Sequence, residues 1–151
     1  MRVGPRLPPF CASSHTRDGA RMSPIVPSAL LRHRPPAVAL GSVVTREPRH
    51  LVCWGIDARR WPWPRLLEGA AQAAGLLAGL QPDGPGPGAV IAEFRDVVVP
   101  VMELHGAVQL DARLERRLAQ FWRCRCEART EHGDLLLEAR ITVARSVEGM
   151  P

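Results

Sequence analysis

The chain has 151 residues, 46% hydrophobic and 23% charged, which is one domain's length in the globular range with enough chain to bury a core. All 20 cationic side chains are arginine, and four of them (Arg2, Arg6, Arg17, Arg21) face the lone acid Asp18 within residues 1–21. The rest of the chain is close to neutral. That excludes the dense basic stripe of a nucleic-acid binder, and no apolar run is long enough to predict a transmembrane helix.

Residues 1–21 mix Arg, Pro, Ser and Gly without periodicity. They read as a disordered N-terminal tail, with residues 22–151 as the folded domain. Met22 opens the first structured stretch and is a second candidate start, and the acid-poor tail also fits a targeting segment without an amphipathic pattern. With no signal peptide in view, the location expected is the cytoplasm, with reduced thiols.

Ser23–Leu31 predicts a short turn or helix, broken at His33-Arg34-Pro35-Pro36. Ala37–Val44 and His50–Ile56 predict two short strands. The segment Asp57 to Pro64, with prolines at 62 and 64, predicts irregular chain, because proline and the residue before it resist helix and ladder alike. Arg65–Leu80 predicts a helix that starts near Pro64 and is apolar on nearly every face, hence buried. Gly75 in its middle predicts a close backbone approach. The glycine–proline loop at 82–88 has no lysine and no following helix, so it does not cradle phosphate.

Four strand patterns follow: Ala89–Val99, Leu104–Ala112, Gln120–Thr130 and Leu135–Arg145, the last two joined by a hairpin at Glu131-His132-Gly133-Asp134. Trp122, Cys124, Cys126 and Ala128 alternate with Arg123, Arg125, Glu127 and Arg129, apolar inside and charged outside. Cys124 and Cys126 thus share a strand face as small core residues. A zinc site would need a Cys-x-x-Cys turn with further ligands, so no metal or organic cofactor is implied. The class expected is α+β, a curved antiparallel sheet wrapped around one long central helix. The helix is longer than one such sheet covers, which predicts a homodimer.

Glu68 and Gln72 lie four apart on one face of that helix, among leucine and alanine. A carboxylate there is paired, protonated or working, and burial would move it toward acid–base use. It falls near the first turn, where free amide N–H groups polarise a carbonyl oxygen. The alternative is that Glu68 caps the helix or faces solvent.

Leu66-Leu67-Glu68-Gly69-Ala70-Ala71-Gln72-Ala73-Ala74-Gly75 resembles the central-helix motif of the hotdog-fold 3-hydroxyacyl-[acyl-carrier-protein] dehydratases. Leu31-Arg32-His33-Arg34-Pro35-Pro36 and Pro100-Val101 resemble two further stretches of that family, and the similarity runs over residues 24–145. It implies the hotdog fold and a site at a dimer seam. There the helix carboxylate, matched by Glu68, assists loss of the 3-hydroxyl, a histidine acts at C2, and the helix N-terminus holds the thioester carbonyl. It also implies an acyl-carrier protein or coenzyme A thioester as partner, to which a mildly basic surface is suited.

The family's Gly-His-Phe-Pro motif is missing, and Trp54 stands where its histidine would. His50 is the candidate substitute. His33 matches a structural position, His105 and His132 sit at a strand start and a turn, and His15 is in the tail. Gln72, Gly69, Trp54, Trp61 and Trp63 are the substrate-contact candidates; the tryptophans either pack the helix end or line an acyl pocket. Three functions remain open: a dehydratase-like lyase of fatty-acid or polyketide type, a thioesterase using Glu68 on water or directly, or a non-catalytic partner of an active paralogue.

Overall fold

A computed structural model describes residues 39–55, 61–86, 89–100, 103–104 and 106–146. The N-terminal tail, Ser23–Leu31, the start of the first predicted strand, Ile56 and His105 lie outside the described residues. The elements are β1 (Leu40–Glu47), β2 (His50–Gly55), β3 (Trp61–Pro62), α1 (Trp63–Gly79), β4 (Ala89–Val98), β5 (Glu103–Leu104), β6 (Val108–Leu118), β7 (Phe121–Thr130) and β8 (Leu135–Arg145). Six strands form one antiparallel sheet in the order β1-β2-β6-β7-β8-β4, and β3 pairs with β5 in a small ribbon.

Strand alternation decides what faces the helix. Leu110 stands opposite Ala128, Ala112 opposite Cys126 and Leu114 opposite Cys124. Across the next seam Trp122 meets Val143, Cys124 meets Ile141, and Ala128 meets Leu137. Nearly all of these side chains are fully buried against α1, and each large one removed from water contributes about 1.5–3 kcal/mol. The outer face is charged. Arg113, Arg125, Arg140 and Arg95 line up across four strands, and diagonal acids keep this row from repelling itself. Arg125 reaches Glu138 at 2.9 Å, Arg113 reaches Asp111 at 3.3 Å, and Arg140 pairs with Asp96 and Glu115. Such exposed pairs add little stability each but keep the face soluble.

The helix lies close to the sheet at Gly69, where an added Cβ would lie 2.9 Å from Leu110 Cδ1. Gly75, where the sequence predicted close approach, has nothing within 4 Å of that position. It lies on a half-covered strip of α1 with Leu67, Glu68 and the exposed Gly79. At the far end Gln81 Nε2 donates to Pro48 O (2.7 Å) and Leu77 O (3.0 Å), tying the helix C-terminus to the β1–β2 turn. In that turn Arg49 donates to Leu114 O and Glu115 O, holding the irregular middle of β6.

Several boundaries differ from the sequence reading. Trp61-Pro62 is not irregular: it pairs with Leu104 and Glu103, a two-residue ladder too short for any periodicity to show. The helix begins two residues early, at Trp63, because Pro64 fits its first turn. β6 starts at Val108 rather than Leu104, which belongs to the ribbon with Trp61, and runs on to Leu118, past the expected end at Ala112; its residues beyond Leu114 are exposed.

Among the described residues three cysteines are buried free thiols, Cys124 and Cys126 as the alternation predicted and Cys53 besides. Burial pushes Cys53 and Cys124 up to about 12 from an ordinary 9.0, and raises Cys126 well above it. The chain has no lysine and no tyrosine, so cysteines are the side chains that titrate between these values. Above pH 9 the unfolded state loses thiol protons that the folded state keeps, so stability falls as pH rises toward 12. Denaturant melts at stepped alkaline pH should show this decline, and Cys53→Ala with Cys124→Ala should reduce it, the remainder belonging to Cys126.

Candidate functional site

The site is built on the second turn of α1. Because the helix starts at Trp63, Glu68 lies one turn beyond the first-turn amides rather than among them, and Pro62 and Pro64 contribute no N–H to that turn. Those amides belong to the first turn, which has no acidic residue and no side-chain cap at Pro62. The end therefore keeps its partial positive charge uncompensated by side chains.

Gln72 is 2% exposed, one of two buried polar residues named among the described ones. Its amide has only one workable orientation. The backbone N–H of Ala39 donates to Oε1 at 2.8 Å, so the oxygen faces the chain leading into β1. The NH2 group must then face an acceptor, and it donates to Glu68 Oε1 at 2.9 Å. A neutral amide thus fixes a half-buried carboxylate from one side, one helical turn away. Gly69 lies between them in sequence and sits 3.6 Å, by its virtual Cβ, from Ala39 Cβ, which brings this turn close to the sheet.

The other candidates separate. His50 alternates with the inward Leu51 and Cys53, so its ring is on the outer face of the sheet. There Nε2 is 3.0 Å from both oxygens of Asp111, and Nδ1 is 3.9 Å from Glu47. Within the protomer the sheet stands between His50 and Glu68. Trp54 shares the outer face, opposite Gln109, half-buried. Trp63 is 39% exposed in the first helical turn. Trp61 alone of the three is fully buried: its ring packs on Gly55, and Arg65 lies over it at 5.2 Å. His132 is exposed in the β7–β8 turn beside Glu131. Among the described residues no three His, Cys, Asp or Glu gather as a metal site, and no helix is long and apolar enough to cross a membrane.

The sequence reading found Glu68 and Gln72 but missed the group that binds them to the sheet. A backbone N–H carries no signature, so Ala39 was not legible. Asp111 was legible in principle: it alternates with Leu110 and Ala112 on β6, which places it outside with His50. A groove on that outer face is lined by Asp111, Arg113, Arg125 and Glu127.

Replacing Gln72 by Leu leaves the Ala39 N–H buried without its acceptor. The expected cost is about 1–3 kcal/mol, read as a melting point lowered by several degrees. Glu68→Gln, which keeps an acceptor oxygen toward Gln72, should cost much less by the same measurement.

No protein-family model matches the chain, and no curated protein does. Solved structures do. A chain of the dehydratase heterocomplex ApeI:P from Xenorhabdus doucetiae superposes with a TM-score of 0.70 at 17% identity, covering 82% of this chain and 93% of that one. A mutant of thioesterase PA1618 from Pseudomonas aeruginosa gives 0.60 at 14% identity, over 76% and 96%. A hypothetical thioesterase from Streptococcus pneumoniae, with coenzyme A, gives 0.56 at 11% identity, over 70% and 84%. Identities this low speak to fold alone. One helix packed on a six-stranded antiparallel sheet, shared with these neighbours, makes this a hotdog-fold protein.

Proposed function

We propose that the chain is a dehydratase-type hotdog protein acting on 3-hydroxyacyl thioesters of acyl-carrier protein or coenzyme A, with Glu68 as the acid–base group. The observation that carries this is the clamp on Glu68: a buried amide, itself held by the Ala39 N–H, donates to one carboxylate oxygen. A carboxylate that only faced water would need no such support. In the reaction the carboxylate takes a proton from C2, the C3–O bond breaks, and the hydroxyl leaves as water on receiving that proton. The enoyl thioester is the product. The positive end of the α1 dipole stabilises charge on the thioester carbonyl during proton removal. The names of the neighbours, a dehydratase heterocomplex and a coenzyme A-bound protein, support this substrate class.

Hydrolysis of the thioester is the second reading. Among the described histidines, His50 and His132 both lie away from Glu68, and a carboxylate activating water works without an imidazole. The two readings separate when one 3-hydroxyacyl thioester is offered and both enoyl product and free thiol are followed. Dehydration gives enoyl without thiol, and Glu68→Gln should slow it by about 10²–10⁴-fold. Thiol release sensitive to the same substitution makes it a thioesterase. Equal inertness of wild type and Glu68→Gln overturns both and leaves a non-catalytic acyl-binding partner.

We further propose that the working form is a dimer joined along β4. This strand is an edge of the sheet, and five of the nine large hydrophobic residues exposed among the described ones lie on it: Val90, Ile91, Phe94, Val97 and Val98. Ile91 and Phe94 stand opposite Val143 and Ile141, which are fully buried, so the apolar face continues past the helix that covers it. An apolar edge with open backbone groups aggregates unless paired. A second copy pairing β4 with β4 completes both sheets. Sedimentation velocity should give a dimer at micromolar concentration, converted to monomer by Phe94→Lys with Val97→Lys; a wild-type monomer overturns this.

A further inference from the structure

We propose that the outer face of the sheet, at the end where α1 finishes, docks an acidic amphipathic helix of a protein partner. That end is fixed by Arg117, which pairs with Asp83, and by Arg145, which donates to Gly84 O. One apolar row crosses it. Leu118 on β6 stands opposite Phe121 on β7, Phe121 opposite Ala144 on β8, and Ala144 opposite Val90 on β4. The chain neighbours Trp122 and Val143 are fully buried on the helix side, so strand alternation turns this row outward. Leu118 is 44% exposed, Phe121 39% and Val90 45%, with the small Ala144 as a floor between them. Beside the apolar row, Arg116 stands opposite Arg123. Every other arginine on the outer face of these four strands is paired with an acid. Arg116 and Arg123 form no ion pair among the described residues, because Glu115 is taken by Arg140 and Glu93 by Arg95.

Like charges directly opposite one another on a ladder destabilise it. Diagonal acids offset the other opposed arginines of this face, and this pair lacks them. Arg123 is half-buried, and its Nε is buried without an acceptor. Carboxylates brought by a partner would neutralise both charges and take charge-assisted hydrogen bonds from the guanidinium heads. The spacing fits a helix laid across the strands. Strands lie about 4.8 Å apart, so the row from Leu118 to Val90 spans about 14 Å, and a helix repeats its face about every 5.4 Å. Apolar residues three and four apart on such a helix cover the row. Acids one turn apart on its flank meet Arg116 and Arg123, which lie about 7 Å to the side. An anionic bilayer is the poorer fit, since the same face carries Glu93, Glu115, Glu127 and Glu138 and repels it. A helix touches only the strip. The strip stays open in a dimer joined along β4, where pairing uses the strand edge and leaves the outer face free. The inference holds whatever chemistry Glu68 performs.

The probe is a synthetic peptide about five helical turns long, with leucines three and four residues apart on one face and glutamates along its flanks. Its binding is measured by fluorescence anisotropy on wild type, Arg123→Glu, Phe121→Ser and Arg113→Glu, with vesicles of phosphatidylglycerol offered in parallel. Wild type should bind the peptide and should not bind the same peptide with lysine for glutamate. Arg123→Glu and Phe121→Ser should each weaken binding by about tenfold or more. Arg123→Glu should melt no lower than wild type, because it sets an acid opposite Arg116, so its loss of binding is not a loss of fold. Arg113→Glu makes the same change of charge away from the strip and should bind as wild type does. Equal weakening by Arg113→Glu and Arg123→Glu means diffuse attraction and overturns the inference. So does a wild type that ignores the peptide, or one that prefers the vesicles and loses them on Arg123→Glu.

Discussion

The link between sheet and helix, and with it the chemistry proposed for Glu68, depends on one buried amide. Gln72 has two hydrogen-bonding ends and no water to satisfy them, so both must find protein partners. The Ala39 N–H takes the oxygen, and that choice leaves the NH2 group to Glu68. The consequence reaches in two directions. The start of β1 is tied to the middle of α1, fixing how the sheet edge meets the helix, and a carboxylate is held on an otherwise aliphatic turn. Loss of the amide would loosen the fold and the site together.

The rest of the architecture makes that arrangement possible. Gly69, packed against Leu110 and close to Ala39, lets the helix come near enough for the Gln72 side chain to reach the chain before β1. The inward rows of β6, β7 and β8 form a continuous small-residue and aliphatic floor beneath it. Cysteines 124 and 126 contribute as compact apolar groups, with thiols that burial keeps protonated. On the outer face the arginine row and its diagonal acids hold the sheet in water while the inner face stays dry. His50 belongs to that outer network, held by Asp111.

The sequence showed most of the fold through alternation. β8 runs over Leu135–Arg145 as its pattern predicts, and β7 departs only at Gln120, which sits in the turn. Where a strand buries no face the pattern fails: β6 from Glu115 to Leu118 is exposed, and its pairing with β7 and the ion pairs of Glu115 with Arg140 and Arg117 with Asp83 define it. The helix was legible in its leucines and alanines, but its first turn hid behind two prolines. Glu68 and Gln72 were legible as a pair because a spacing of four is a contact on any helix. The amide's second partner was not, since backbone groups leave no trace in composition. The separation of the three tryptophans was hidden for a related reason. Trp54 and Trp61 are close in sequence, yet strand alternation sends one outward while the chain's return packs the other inward.

The clamp is open to direct observation. The chain has no asparagine and four glutamines, at 72, 81, 109 and 120, so an ¹⁵N spectrum holds four side-chain amide pairs. With Gln72 assigned by substitution, its NH2 protons should exchange with solvent far more slowly than those of the exposed Gln120, and should shift when an unreactive acyl-pantetheine analogue is added. A Gln72 pair that exchanges as fast as Gln120 and ignores the analogue would contradict the account at its root.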